Sequence, residues 1–380
     1  MPFSLPAEPA HTRRLTDVWP NVIAAVDGDD TGWFPPARSG IVLMVDGLGA
    51  RNLSSRRGHA RFLADRLTKR SVAHTTFPST TATALTSLMT ARPAGEHGIV
   101  GYRVRVPGSD VMANQLSGWE DSGLDPLIWQ RSDTVFERES VRGRACVVVT
   151  RSQYRGTGFT TAAFRGGQFI GIDDLAERVE AAVEAAASHP GALVYLYHPD
   201  LDRIGHAHGW ESEKWAAALE KLDAAAAALH AQAARRGVGV LATADHGMVD
   251  VPRHRHVLLG TGDALLDGVR HLGGEPRVLH LYVDDEAALD EVICRWRASE
   301  GERSWVLTRA EAIDAGLFGR VDPEVRPRIG DVVVAARARI AYYDDRVNDT
   351  SAQHMVGQHG SLTDEERAVP LIGLGAFAQA

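Results

Sequence analysis

VGVLATADHG, residues 238–247, is the stretch on which the fold reading turns. An apolar, β-branched run breaks directly into Asp245, His246 and Gly247, which reads as a buried strand delivering two polar side chains at its carboxyl end. The same texture recurs in IVLMVDGLG (41–49), where Asp46 closes the run, and in ACVVVT (145–150), ALVYLYHPD (192–200) and VPLIGLG (369–375). All five are expected as central parallel strands.

Between these runs lie helical stretches, notably DDLAERVEAAVEAAASH (173–189) and a longer one over 211–237 that closes on Arg235, Arg236 and Gly237, as a helix C-terminus should. Alternation of strands and helices predicts an α/β fold: a doubly wound, mainly parallel sheet flanked by helices. In such sheets ligands gather beyond the carboxyl ends of the strands, where Asp46, Asp200, Asp202, Asp245 and His246 are expected to converge. The texture changes between 251 and 350, with RVLHLYVDD, a helical DEAALDEVICRWRASEG and RIGDVVVAARARIAYY. This segment reads as a small α+β insertion, a cap, within a catalytic core made of 1–250 and 351–380.

The composition, 44% hydrophobic and 24% charged over 380 residues, is that of a globular protein with ample core. A net charge of −8 argues against a nucleic-acid surface built on general basicity, although metal ions can invert the field locally. Cys146 and Cys294 stand far apart without metal-ligand spacing, so neither a disulfide framework nor a thiolate zinc site is expected, and both read as buried thiols. No apolar run reaches the length of a membrane span and the first residues lack a signal-peptide core, so the expectation is a cytoplasmic protein with no membrane partner.

Four short segments carry the candidate chemistry. Asp245 and His246 leave the strand pleat together and can reach one ion, although an Asp-His pair after a strand also fits a cap and a loop histidine. In PDLDRIGHAHG (199–209), Asp202 and His206 are spaced to share a helix face, with Asp200, His208 and His198 as competing positions. HTTFPSTTATAL (74–85) places hydroxyl groups before a helix. Taking Pro78 as helix-start chemistry sets Thr76 near the positive end of the helix dipole, where a metal-bound hydroxyl could attack phosphorus; a capping cluster is the bland alternative. Lastly, VGQHGSL (356–362) sets His359 between two glycines.

Ligand counting ties these segments together. Asp202, His206 and His359 would form one zinc site and Asp46, Asp245 and His246 the other, each with a position open for catalysis. Oxygen and imidazole donors without thiolate suit two Zn²⁺ ions, and would also accept Mn²⁺ or Co²⁺.

Taken in order, VDGLG, TTFPS, DRIGH, ADHGM and GQHG resemble the motifs of the alkaline phosphatase superfamily, and within it the nucleotide pyrophosphatase/phosphodiesterase branch. TARPAGEHGIVGY (90–102) resembles the family's segment after the nucleophile helix. The resemblance implies a two-zinc phosphoester hydrolase with a phospho-threonine intermediate on Thr76, acting on a small phosphoester, a nucleotide among the candidates. Phosphomonoester or phosphonate hydrolysis on the same fold, or a non-catalytic metal-binding role, are the alternatives. Where the branch usually has Asn after Phe-Pro this chain has Ser79, so the phosphoryl-oxygen donor falls to Ser79, Thr80 or a backbone amide.

Overall fold

The structure is a computed structural model that describes residues 4–6, 12–29, 31–283 and 285–378. Its principal elements in chain order are α1 (Val18–Asp27), β1 (Ser39–Val45), β2 (Val72–His74), α2 (Thr81–Thr90), β3 (Cys146–Thr150), β4 (Gln168–Gly171), α3 (Leu175–Ser188), β5 (Leu193–His198), α4 (Asp200–His208), α5 (Glu213–Arg235) and β6 (Val238–Thr243). There follow β7 (Val269–Glu275), β8 (Val278–Val283), α6 (Leu289–Glu300), β9 (Ser304–Thr308), β10 (Val332–Ala336) and β11 (Ala368–Gly375).

The main sheet has seven strands in the order β2-β11-β6-β1-β5-β3-β4. β6, β1, β5, β3 and β4 run parallel, and every residue of β1 is buried, because helices cover both faces of the sheet and leave no solvated side. In α5 the buried residues Trp215, Leu219, Leu222, Ala226, Leu229 and Ala233 recur at three- and four-residue intervals, a single apolar stripe turned to the sheet. The Ser212 side chain accepts from the Trp215 amide and starts that helix, while Asp174 does the same for α3 through Glu177.

VPLIGLG departs from expectation: β11 runs antiparallel to both β6 and β2. The chain reaches it from the loop holding His359, which lies at the carboxyl ends of the parallel strands, so β11 must start from that end. Burial on both faces makes a parallel and an antiparallel strand equally apolar, which is why the residue pattern could not separate them. Cys294 is the second departure. Cys146 is buried in β3, but Cys294 is exposed, because the face that α6 buries is formed by Val292, Ile293 and Trp296.

Within 251–350 the chain builds a separate antiparallel sheet, ordered β7-β8-β10-β9, over its own apolar core of Leu281, Trp296, Val332 and neighbours. The tip of the β7-β8 hairpin reaches into the main body. There the Arg277 guanidinium donates to both oxygens of Glu366, at 2.8 and 2.7 Å, and to the Ala338 and Ile340 carbonyls, with both side chains essentially inaccessible. Among the described residues no helix is long and apolar enough to cross a membrane.

Removing one member of a buried ion pair leaves the other charge desolvated and alone, which costs about 3–5 kcal/mol. Arg277→Ala is therefore expected to lower unfolding stability by about that amount, measured by urea denaturation.

Candidate active site

The three central strands β6, β1 and β5 end side by side, and their carboxyl ends carry the polar residues into one place. Asp46 follows β1; Gly47 turns the chain at φ +75°, with Asp202 Cα only 3.0 Å from where a Cβ would project, so a larger residue has no room. Beyond β6, the Asp245 Oδ1 atom accepts from the amides of Gly47 and His246 at 3.1 and 3.0 Å. α4 opens directly beyond β5, so Asp202 and His206 lie one turn apart on the same face, with His206 Nε2 3.3 Å from Asp202 Oδ1. His359 is delivered by the pairing of Gly357 and Gln358 with Asp250 and Val249.

All three imidazoles are oriented in the same way. Nδ1 of His206 donates to the Gly357 carbonyl (2.8 Å), that of His246 to Gly247 (3.0 Å) and that of His359 to Ser79 (3.0 Å). A carbonyl only accepts, so each ring keeps its Nε2 lone pair for the centre. His246 Nε2 stands 3.4 Å from Asp46 Oδ1 and 3.6 Å from Asp245 Oδ2, and His359 Nε2 stands 3.8 Å from Asp202 Oδ1. Five of the six donors fall into two groups, Asp46-Asp245-His246 and Asp202-His246-His359, each within 4.8 Å, so His246 belongs to both and His206, expected beside Asp202 and His359, lies outside them.

The electrostatics of this cluster fit bound cations. Asp46 Oδ1, Asp202 Oδ1 and Asp245 Oδ2, the oxygens facing the imidazoles, are buried without a hydrogen-bond partner among the described residues. Burial, reinforced by the charge of Asp46, pushes the Asp245 carboxyl up to about 7. For His246, burial alone would lower the imidazole, but the charges of Asp245 and Asp46 outweigh it and push it up to about 10. Without a cation these groups relieve their repulsion by holding protons; divalent ions would do so with the lone pairs already aimed.

Thr76 is not at this centre. Its hydroxyl turns to the Pro78 carbonyl at 3.5 Å, and it lines a separate cavity of about 650 Å³ with Arg14, Phe318 and Arg367. The expectation rests on Pro78 starting the helix. Instead, Ser79 is held in a bridge to Gly360, its amide donating to the Gly360 carbonyl at 3.0 Å, so α2 begins only at Thr81. Thr81 occupies the first helical position, and its hydroxyl lies 3.3 Å from His246 Nε2. Helix onset is the signal that would have singled it out.

Ser79 and Thr80 are engaged elsewhere. The Ser79 hydroxyl donates to the Ser361 carbonyl at 2.8 Å, and Thr80 lies beside Glu275, a residue that the motifs do not pick out and whose carboxyl burial pushes up to about 8. Of the competing positions, Asp200 pairs with Arg151, His208 is exposed beside Lys214, and His198 is buried and pushed down to about 4 by desolvation. Tyr197, equally absent from the motifs, donates its hydroxyl to Asp46 Oδ2.

A cavity of about 1060 Å³ opens from this centre. Asp46, Thr81, Asp202 and His206 form one end, and Leu85, Trp119, Phe159, Phe164, Tyr195 and Tyr197 line the walls.

The sequence profile described as type I phosphodiesterase / nucleotide pyrophosphatase matches residues 40–362, spanning every segment of the cluster. The chain belongs to this family, within the alkaline phosphatase superfamily. Among solved structures, murine ectonucleotide pyrophosphatase/phosphodiesterase 5 superposes with a TM-score of 0.68 at 18% identity, covering 87% of either chain. The phosphonoacetate hydrolase of Sinorhizobium meliloti 1021, solved with phosphonoacetate, superposes with a TM-score of 0.67 at 20% identity, covering 90% of this chain and 91% of that one. No curated protein sequence matches. These likenesses establish a phosphodiesterase/pyrophosphatase-type fold in this family member.

Because the carboxylates push His246 up to about 10 and burial pushes Asp245 up to about 7, a divalent cation such as zinc would have to displace protons to bind. Titrating the metal-free protein with zinc by calorimetry in buffers of different ionisation enthalpy should show proton release, and apparent affinity should rise between pH 6 and pH 9.

Proposed function

We propose that this protein hydrolyses phosphodiesters, nucleotide derivatives among them, by transferring the phosphoryl group to Thr81 and then to water. The observation that carries the reading is the position of the Thr81 hydroxyl, 3.3 Å from His246 Nε2 at the mouth of a ten-residue helix whose N-cap, Thr80, makes no side-chain capping bond. The first-turn amides of α2 are thus left to bind phosphoryl oxygens, favoured by the helix dipole. This assigns to backbone donors the role that Ser79 and Thr80 do not fill.

Two divalent cations, zinc by the donor set, would be held by Asp202, His206 and His359 and by Asp46, Asp245 and His246. When bound they supply Lewis acidity, lowering the pKa of the hydroxyl and neutralising charge on the phosphoryl group. The chain's own residues do the positioning. Tyr197 and the Gly47 amide hold Asp46 and Asp245, three backbone carbonyls fix the imidazoles, and α2 aims Thr81. Thr81 Oγ1 loses its proton to solvent and bonds to phosphorus as the ester oxygen leaves; water then attacks phosphothreonine from the vacated side. Two inversions give net retention at phosphorus.

The aromatic chamber favours a diester over a phosphomonoester or a small phosphonate, since a substrate with a second substituent can fill it while its phosphorus meets Thr81. A solved murine ectonucleotide pyrophosphatase/phosphodiesterase 5 is an inactive threonine-to-alanine variant in complex with AMP, which accords with a threonine nucleophile and a nucleotide product.

Thr81→Ala should lower kcat by roughly 10³-fold or more with zinc content retained, whereas Thr76→Ala should stay near wild type. Rates on p-nitrophenyl thymidine 5′-phosphate, p-nitrophenyl phosphate and phosphonoacetate measure both points: the diester should be fastest, and full activity in Thr81→Ala would remove the proposed mechanism.

A further inference from the structure

We propose that Glu275, carried into the centre by the tip of the inserted sheet, is a positioning residue for His359 and for the start of α2. The insertion is then part of the catalytic apparatus rather than a separable lid. This rests on the phosphoryl-transfer reading above.

Glu275 is the last residue of β7, and the chain returns at once through Pro276 and Arg277 into β8. Glu275 is 8% exposed, and burial pushes its carboxyl up to about 8, so its charge is expensive there unless a cation offsets it. Among the described residues it makes no ion pair with a guanidinium. Its Oε2 lies 3.6 Å from His359 Nδ1, it sits beside Thr80, and its Oε1 is buried with no hydrogen-bond partner among the described residues. Space for it is left by Gly360, at φ +127°, where an added Cβ would lie 2.8 Å from Glu275 Cδ.

Anchoring does not explain Glu275, because Arg277 already performs it through Glu366 and two carbonyls. What Glu275 touches instead are two groups of the site: the imidazole whose Nε2 faces Asp202, and the residue next to Thr81. The Nδ1–H of His359 is donated to the Ser79 carbonyl; the Glu275 oxygen 3.6 Å away backs that bond and by its charge favours Nε2 as a donor to a cation, the kind of outer-shell effect worth 10- to 100-fold in metal affinity or activity. Beside Thr80, the same carboxyl group borders the first turn of α2, and with it the Thr81 hydroxyl.

The test uses the full chain, metal-stripped and reloaded, as wild type, Glu275→Gln and Glu275→Ala. Zinc affinity is read by competition with a chromogenic chelator, kcat and KM with p-nitrophenyl thymidine 5′-phosphate, and thermal midpoints by circular dichroism. Both variants should bind zinc roughly 10-fold more weakly or worse, and kcat should fall by a similar factor with KM little changed. Wild-type zinc affinity in either folded variant would overturn the proposal, even with a lowered thermal midpoint, because that is the signature of a purely structural role. Should Glu275→Ala fail to fold, the isosteric Glu275→Gln protein decides between the two outcomes. If the wild type binds zinc but cleaves no phosphoester, the phosphoryl-transfer reading fails, while the zinc affinities still decide the place of Glu275.

Discussion

Three carboxylates and three imidazoles are held at near contact under the surface of the protein, and the architecture is organised around that crowding. Burial, reinforced by the charge of Asp46, raises Asp245 to about 7, and the two carboxylates raise His246 to about 10 against its own burial. Such an arrangement persists because one oxygen each of Asp46 and Asp245 and all three rings are restrained from behind: Tyr197 and two amides on the carboxylates, three carbonyls behind the rings. The two strands that flank β1 on either side, β6 and β5, run parallel to it, so three chain ends stop together. A sheet of mixed direction at those positions would send the same residues to opposite edges.

The antiparallel return of β11 belongs to the same logic. Because the chain must visit the strands' carboxyl ends with His359 before it closes the sheet, the preceding loop can pair with the segment after β6, hold Ser79, and position Glu366 for Arg277. The inserted sheet has its own core, yet it is joined to the centre through a buried ion pair and through Glu275. A motion of that sheet would be felt at His359 and at the start of α2.

Most of this could be anticipated from residue patterns. Apolar runs ending in acidic residues and histidine mark buried strands whose polar ends gather at one edge of the sheet, and the i, i+4 spacing of Asp202 and His206 does place both on one helix face. The expectation for Thr76 fails because hydroxyl residues crowd the segment 75–81, and the point at which the chain enters the helix is set by a bridge to Gly360, almost three hundred residues away. Ser79 likewise reads as available and is tied to Ser361. Glu275 and Tyr197 carry no local signature at all, since one ends an ordinary hairpin strand and the other alternates with apolar residues.

By itself the sequence determined the mainly parallel core and the family, because both are encoded in periodicity and short ordered motifs along the chain. Only the tertiary structure decided which threonine faces the cluster, the direction of β11, the exposure of Cys294 and the reach of Glu275 into the site. Those depend on contacts between segments far apart in the chain, where the partner of a side chain is set by packing and leaves no trace in its neighbours.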